Sequence, residues 1–441
     1  MKYPDILCVP LPEHIKRELI AGNFETGKKM MQEYLSMDIP EVLKNRIEYE
    51  FERIRRLRYE FPYTLRDAYK ILAESIENFS ENEMREWLEA GFIDNIVVDG
   101  ERYFHSKFLD NLCFLCEDAK RRRIKRDTNR EYAKKVVNER VDKLIEGATP
   151  KRYEITAGIK IKINRKIPEN EKYRVWLPVP RVGYQQENVK ILNAKPDVKV
   201  IADETAEQRT AYFESKEREF KIEFSYEINE SVGESYADEY NRALEEKPPH
   251  ILFTPFIKEL AEKIAGDIDD PLEKARRIYT WITRKIRYTY VREYGTYENI
   301  PEFAASSLRG DCGVQALLFI TLCRAVGVKA KWQSGWFVTP KFASPHDWAQ
   351  VFVEDSGWMP VDLSFGNARK NNPKRWNFYF GNLDAFRMIA NDDIQSALTP
   401  DKKFWRSDPV DNQRGEIEWD GGNIYYDEFE WSIYVKSFRA I

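Results

Sequence analysis

Histidine is scarce in this sequence. Its 441 residues include only four, namely His14, His105, His250 and His346. Imidazole is the commonest side-chain ligand of transition metals, so four dispersed residues argue against a histidine-rich metal site. Acidic residues are plentiful, but none of their clusters has the spacing of an EF-hand calcium loop. We therefore expect no metal and no other cofactor.

Cysteine, net charge and long apolar runs are limited as well. Five cysteines, an odd number in a long chain, do not suggest a disulfide framework and are typical of a reducing compartment. With 70 basic and 74 acidic residues, the net charge of −4 gives no general attraction to nucleic acid or to an anionic membrane. No apolar run reaches membrane-spanning length, and the first residues lack the apolar core of a secretory signal. With Met1 as the native start, we expect a cytoplasmic protein without nucleic-acid or membrane partners.

The spacing of apolar residues changes along the chain and predicts an α+β multidomain fold. We predict a helical N-terminal domain over residues 1–148, a β-sandwich over 149–247 and a mixed α+β domain over 248–400. Residues 401–441 contain aromatic strands, which we expect to pack on the domain before them or on an interdomain surface.

Residues 11–147 have the apolar stripes and dense charge of amphipathic helices. The segment Asn78-Phe79-Ser80-Glu81-Asn82-Glu83 is predicted to supply a cap for the helix that follows from Met84, with Gly91 as its stop. Asp99-Gly100 is the predicted turn of a small hairpin. The segment is therefore predicted to be mainly helical.

Two motifs in this segment could indicate ligands. Cys113 and Cys116 have the spacing of half a zinc site, but no second pair accompanies them, so we favour packing within a helix. The basic run 120–126 lacks interleaved aromatic residues, so we favour a solvated face paired with acids over nucleic-acid binding.

Alternation replaces the helical period after Ala148-Thr149-Pro150. Apolar residues share one parity in two stretches: Tyr153, Ile155, Ala157, Ile159, Ile161 and Ile163, then Phe220, Ile222, Phe224, Tyr226 and Ile228. Short half-buried strands of this kind predict a sandwich of about a hundred residues. Since it holds no constellation of titratable groups, we expect it to position substrate or the neighbouring domain.

Two helices are predicted next. Thr254-Pro255 and Asp270-Pro271 each supply an N-cap followed by a proline at the first helical position. We expect the second of these helices to pack against the helix that begins at Cys312.

Cys312 opens an apolar run, residues 314–323, which predicts a buried helix ending at Gly327. At a helix N-terminus the unpaired amides favour a thiolate, and the Cys312 N–H stays free to bind an oxyanion. A second cysteine on the same helix, Cys323, is predicted to be a buried apolar residue. Cys312 is therefore the candidate nucleophile.

His346 and Asp362 are the candidate partners of this thiol. Three strands are predicted after Gly327, the last two antiparallel: 328–336, 346–353 and 358–362, with Asp355-Ser356-Gly357 as the turn. Because side chains alternate along a strand, His346 shares a face with Trp348 and Gln350, whereas Asp347 points to the other face. We therefore prefer Asp362 as the carboxylate that orients the imidazole.

The three side chains suit nucleophilic acyl-transfer chemistry. Cys312 would attack a carbonyl, His346 would accept the thiol proton and later return one to the leaving amine, and Asp362 would fix the imidazole. Singly, a cysteine in a helix or a histidine on a strand is more often structural. Their occurrence together at element ends favours the catalytic interpretation.

These residues lie in three blocks: Gly310-Asp311-Cys312, His346-Asp347-Trp348-Ala349-Gln350-Val351 and Gly357-Trp358-Met359-Pro360-Val361-Asp362. In order and spacing the blocks resemble the transglutaminase-like superfamily of papain-type thiol enzymes. The resemblance covers about residues 250–390. It implies a papain-like α+β catalytic domain behind a β domain, with Cys312, His346 and Asp362 catalytic by motif.

The resemblance leaves several reactions open. We favour hydrolysis of peptide or amide bonds in a peptide or protein substrate, with transfer of a glutamine acyl group to an amine as the alternative. A third possibility is an inactive binding or scaffold protein, because no upstream Gln or Trp is recognisable as the second oxyanion donor. Weak candidates for that donor or for the pocket are Gln315, Tyr288, Tyr290 and Trp348. The sequence leaves the oligomeric state open.

Overall fold

The computed structural model describes residues 5–236, 242–354 and 356–441. Residues 1–4, at the start taken as native, and Asp355, in the predicted hairpin turn, lie outside the described residues. Within the described ranges no helix is long and apolar enough to cross a membrane. The chain forms two units: Met1–Arg126, Arg287–Asn299 and Arg309–Asp311 in the first, and Asp127–Ile286, Ile300–Leu308 and Cys312–Ile441 in the second.

Helices and strands occur in both units, which confirms the predicted α+β class. The helices are α1 Glu13–Ile20, α2 Phe24–Leu35, α3 Glu41–Glu60, α4 Leu65–Ser75, α5 Glu81–Glu89, α6 Phe108–Leu115, α7 Glu117–Arg121, α8 Thr128–Ile145, α9 Pro255–Ala265, α10 Pro271–Lys285, α11 Ile300–Ser307, α12 Cys312–Ala325, α13 Leu363–Asn367 and α14 Pro373–Phe378. The strands are β1 Tyr63–Thr64, β2 Asn95–Val98, β3 Glu101–Phe104, β4 Arg152–Ile163, β5 Tyr173–Pro178, β6 Gln186–Lys195, β7 Val200–Ile201, β8 Thr210–Ser215, β9 Glu219–Asn229, β10 Ser231–Val232, β11 Arg287–Tyr288, β12 Arg309–Gly310, β13 Ala330–Thr339, β14 Phe342–Val353, β15 Gly357–Val361, β16 Asn382–Leu383, β17 Arg387–Asn391, β18 Glu416–Trp419, β19 Gly422–Ile424 and β20 Phe429–Ala440.

The first unit is mainly helical, with two apolar cores and a small sheet of order β1-β3-β2. Ser80, within the segment predicted to supply a cap, caps α5 in a capping box with Glu83, and the helix begins at Glu81. The hairpin of β2 and β3 turns at Asp99-Gly100, where both residues have positive φ angles of 49° and 87°. A turn of this kind needs positive φ, which Asp and Gly tolerate. Helix α8, which we had assigned to the N-terminal domain, belongs to the second unit.

Two sheets of the second unit pack face to face around one apolar core. Their strand orders are β20-β4-β9-β6 and β19-β18-β5-β8-β7. The apolar parity of β4 and β9 is buried, from Ile155 to Ile163 and from Phe220 to Ile228. This agrees with the half-buried strands that the alternation predicted.

The C-terminal strands differ from our expectation. Strand β20 pairs antiparallel with β4, and β18 pairs with β5, so residues 416–440 complete the two sheets of the sandwich. We had placed these strands on the mixed domain or on an interdomain surface. Pairing across 240 residues or more leaves no local signal, because either edge of a sheet can accept a strand with alternating side chains. Whether residues 149–247 and 248–400 fold as separate domains stays a prediction.

The candidate thiol lies beside a third sheet of the second unit, with strand order β15-β14-β13-β17. Helix α12 packs on β13 and β14, and α10 packs against α12, as we expected. Asp270 and Thr254 cap α10 and α9 ahead of their first-position prolines. Trp336 and Met388 of this sheet join the core of the sandwich. The sheet that carries His346 is therefore fixed on one side by α12 and on the other by the sandwich.

Candidate active site

Cys312 is the first residue of α12, as the apolar run after it predicted. Every following residue from Gly313 to Arg324 is buried, whereas Cys312 is partly exposed. Gly327 follows the helix at a φ of 79°, a left-handed conformation that glycine adopts without strain. The thiol is therefore held on a rigid element, at the end of the helix where the partial charge is positive.

His346 and Asp362 lie together. His346 Nε2 is 2.7 Å from Asp362 Oδ2, and both side chains are buried. The pairing of Ala349 with Val361 sets the register of β14 and β15, so Asp362 follows directly after the end of β15. The register was the part of this hairpin that the sequence could not fix, since side-chain alternation permits several even offsets.

Asp362 is also the N-cap of α13. Its Oδ1 accepts a hydrogen bond from Phe365 N at 2.9 Å, while its backbone N–H donates to Tyr379 O at 2.9 Å. The ring of Phe365 stacks on His346, with 4.5 Å between the ring centroids. A single short helix thus fixes both the carboxylate and one face of the imidazole.

Arg387 is a member of the site that sequence reasoning missed. Its Nη1 lies 2.8 Å from Asp362 Oδ2, the oxygen that contacts His346. The Arg387 side chain is fully buried on β17, with its guanidinium over the rings of Trp348 and Phe365. A cation just before the apolar run 388–390 was the available signal, because a buried arginine requires an anionic partner.

The buried charges set the protonation of this pair. Burial alone would raise the pKa of Asp362, but the charges of His346 and Arg387 hold that pKa well below its usual value. Burial lowers the pKa of His346 by more than the Asp362 carboxylate raises it. At neutral pH the site therefore contains an ionised carboxylate and a neutral imidazole that can accept a proton.

Asp347 contacts the candidate thiol. Cys312 Sγ donates to Asp347 Oδ2 over 3.1 Å, and the other oxygen of Asp347 accepts from Gln413 Nε2. We predicted that Asp347 points away from the face of His346 but did not predict this contact. Gln413 comes from the loop before β18, so no local pattern connects it with Cys312. The hydrogen bonds thus join His346 to Asp362 and Cys312 to Asp347; the approach of Cys312 to His346 stays a prediction.

The four candidates for the second oxyanion donor lie in different surroundings. Trp348 is buried, and its Nε1 donates to Gln333 Oε1 at 2.8 Å, so its N–H is already used. Gln315 is buried in the first turn of α12. Tyr288 and Tyr290 belong to the first unit, where both rings contact Phe114. The role of all four stays a prediction.

The cysteine pair and the basic run, which could have indicated ligands, lie at helix α6 and among ion pairs, respectively. Cys113 is buried in α6, and burial raises the pKa of its thiol. Among the described residues, no group of three or more His, Cys, Asp or Glu side chains could hold a metal ion. In the basic run, Arg122 pairs with Glu83, and Arg123 pairs with Asp110 at 2.7 Å. These acids neutralise part of the run.

Comparison with known sequences connects the site with a family. Residues 258–363 match the model of the Transglutaminase-like superfamily, a segment that includes Cys312, His346 and Asp362. An uncharacterized protein of Haemophilus influenzae is 26% identical over 137 residues. That match covers 26% of this chain and 37% of the relative, so the chain spans little more than a third of the relative's length.

Two solved structures are similar to this chain at low sequence identity. One is a protein of Cytophaga hutchinsonii described provisionally as a cysteine protease, with a TM-score of 0.43 and 14% identity over 67% of this chain and 92% of that chain. Another is the periplasmic domain of TgpA from Pseudomonas aeruginosa, with a TM-score of 0.30 and 11% identity over 54% of this chain and 94% of that chain. The family match covers residues 258–363 and includes the three blocks, so this segment of the chain is similar to the transglutaminase-like superfamily.

Proposed function

We propose that this protein is a cysteine-nucleophile hydrolase that cleaves peptide or amide bonds through a thioester on Cys312. The observation that carries the proposal is the buried 2.7 Å contact between His346 Nε2 and Asp362 Oδ2, on the strand next to the helix that begins at Cys312. The positions of Cys312 at the start of α12, His346 on β14 and Asp362 as the cap of α13 support the proposal. The five cysteines are free thiols, which suits a reducing, cytoplasmic setting.

The first half of the reaction forms the thioester. Because Nε2 of His346 contacts Asp362, Nδ1 of the same ring is the nitrogen that takes the Cys312 proton. The sulfur then attacks the carbonyl carbon, and the C=O bond opens to an oxyanion near the Cys312 N–H at the start of α12. When the C–N bond breaks, Nδ1–H gives its proton to the departing amine. The product of this half is a thioester and a free amine.

The second half releases the acid. Water loses a proton to Nδ1 and attacks the thioester carbonyl, and the C–S bond breaks. The sulfur regains the proton, so the enzyme returns to its starting state. Asp362 stays ionised throughout and stabilises the imidazolium that forms in each half.

Alkylation with iodoacetamide tests the nucleophile. We expect labelling of Cys312 in the wild-type protein to depend on His346, and so to be much slower in His346→Ala. Cys323→Ala is the matched control, because Cys323 is buried on the same helix and is expected to leave labelling unchanged. Slow labelling of Cys312 that does not depend on His346 would favour a binding or scaffold protein.

A peptide library then tests the reaction. Mass spectrometry should detect hydrolysis products that are absent with Cys312→Ala, and the cleaved sequences would give the substrate preference. A labelled primary amine in the same assay distinguishes the two acyl acceptors. Stable incorporation of the amine into glutamine-bearing peptides, with little hydrolysis, would replace the proposed hydrolase with an acyltransferase.

A further inference from the structure

The sulfur of Cys312 has a carboxylate beside it that the proposed mechanism does not use. Asp347 is buried, with 5% of its surface exposed, and its Oδ2 lies 3.1 Å from Cys312 Sγ. Since a carboxylate only accepts hydrogen bonds, the sulfur in this contact carries the proton. Asp347 and His346 are neighbours on β14, so their side chains point to opposite faces of the strand.

Gln413 fixes the position of this carboxylate. Its Nε2 carries two hydrogens and contacts two acceptors, Asp347 Oδ1 and Asp411 Oδ2, the second at 2.9 Å. The backbone oxygen of Gln413 accepts from Trp336 Nε1 at 2.9 Å, which holds the loop on β13. Asp411 in turn accepts from Ser334 and from Trp332 Nε1. Every donor in this network is buried, so Asp347 has little freedom to turn away from the sulfur.

We propose that Asp347, positioned by Gln413, holds resting Cys312 as a neutral thiol and thereby limits its reaction until His346 removes the proton. A negative charge beside the sulfur disfavours the thiolate and opposes the effect of the α12 N-terminus. Once the sulfur is acylated it has no hydrogen to donate, so the contact exists only in the free enzyme. Asp347 is therefore a positioning residue, and this inference rests on the proposed function.

Other charged groups lie around the pair. His346 is the neighbour of Asp347 on β14, and Asp362 and Arg387 lie behind that imidazole. From the C-terminal loop, Asp411 faces Gln413, and burial raises the pKa of Asp411. Asp311 precedes Cys312 in the chain. The carboxylate of Asp347 contacts the sulfur.

The test is the pH dependence of Cys312 alkylation by iodoacetamide in the full-length protein. We expect Asp347→Asn to move the midpoint to lower pH by about one unit, and so to increase the rate below the midpoint by about tenfold. Gln413→Ala should move it in the same direction by less, because the carboxylate remains but can turn. Asp392→Asn is the matched control: it removes a buried carboxylate that pairs with Lys331, and the midpoint should stay at the wild-type value.

Several results would overturn the inference. One is a midpoint that is unchanged or raised in Asp347→Asn; another is loss of alkylation in Asp347→Asn while His346→Ala still reacts, which would make Asp347 the base. Ultraviolet difference absorbance between the wild type and Cys312→Ala needs no folded Asp347 variant: we expect no thiolate band at neutral pH, and a strong band would refute the inference. A lowered midpoint in Asp347→Asn, with labelling independent of His346, would refute the proposed function alone.

Discussion

Arg387 and His346 contact the same oxygen atom of Asp362, at 2.8 Å and 2.7 Å. The arginine therefore does more than neutralise a buried charge. It keeps Asp362 ionised and limits how far the carboxylate can rotate, and it competes with the imidazolium for the same lone pairs. Nη2 of Arg387 extends the network to Asp384, at 3.6 Å.

Substitution of Arg387 by Met should damage both stability and activity. Removal of one partner from a buried ion pair leaves the other charge uncompensated, at a cost of about 3–5 kcal/mol. Chemical denaturation would measure this change in the free energy of unfolding. Arg387→Lys keeps the charge and should recover part of the stability and of kcat. Equal activity of the Met and Lys variants would contradict a role for this charge in orienting Asp362.

The pH dependence of hydrolysis should reflect the low pKa of His346. Burial lowers that pKa, so the base stays neutral below its ordinary value of about 6.5, and kcat/KM should remain on its plateau to a lower pH than an exposed histidine permits. Asp362→Asn removes a charge that raises the His346 pKa. The acidic limb of the kcat/KM profile of Asp362→Asn should therefore move to still lower pH, while kcat falls by about 10²–10⁴-fold. A shift of that limb to higher pH would contradict the assignment.

The lowered pKa values of His346 and Asp362 also predict that the protein loses stability in acid. Both pKa values are lower in the folded protein than in the unfolded chain, so both contributions are present above the unfolded values and are lost as pH falls. The His346 contribution should decline below about pH 6.5 and the Asp362 contribution below about pH 4. Urea denaturation at several pH values measures this. His346→Phe, which cannot titrate, should flatten the curve in the upper part of the range.

Gly335 is a position where a single methyl group should disturb the site. It pairs with His346 on one side and with Ile389 on the other. A Cβ atom added there would lie 2.0 Å from Met388 O and 2.9 Å from Ala390 N. Gly335→Ala should therefore separate β13 from β17, which carries Arg387, at a cost of about 1–3 kcal/mol and with reduced activity. Gly100→Ala is a control for backbone strain without a clash, since Gly100 has a φ of +87° and a Cβ atom there would meet no atom within 4 Å.

Much of this fold could be predicted because its signals are local. The alternation of β4 and β9, the cap at Asp270 and the apolar run after Cys312 all act over a few residues. His346 and Asp362 are 16 residues apart in the chain, and two of the three sequence blocks, 346–351 and 357–362, lie in the hairpin that joins them. Local patterns and a short hairpin were thus enough to indicate the three candidate catalytic residues.

The remaining contacts could not be predicted from local patterns. Gln413 lies 66 residues from Asp347, and Trp332 lies 79 residues from Asp411. A polar residue in a loop has no periodicity, and its partner depends on how the whole second unit packs. Arg387 is similar, because a cation before an apolar strand implies an anion without saying which one.

Removal of strand β20 should destabilise the sandwich by leaving β4 unpaired on one side. The strand pairs with β4 from Phe429 to Ala440, and without it β4 becomes an edge strand with unpaired N–H and C=O groups. Deletion of residues 428–441 should lower the melting temperature and promote aggregation in size-exclusion chromatography. Deletion of Ile441 alone is the control, because that residue follows β20 and is exposed. An elution volume and a melting temperature unchanged from the wild type after the longer deletion would show that the sandwich does not depend on β20. If the sandwich is also what holds β13 through Trp336, the longer deletion should reduce Cys312 alkylation as well.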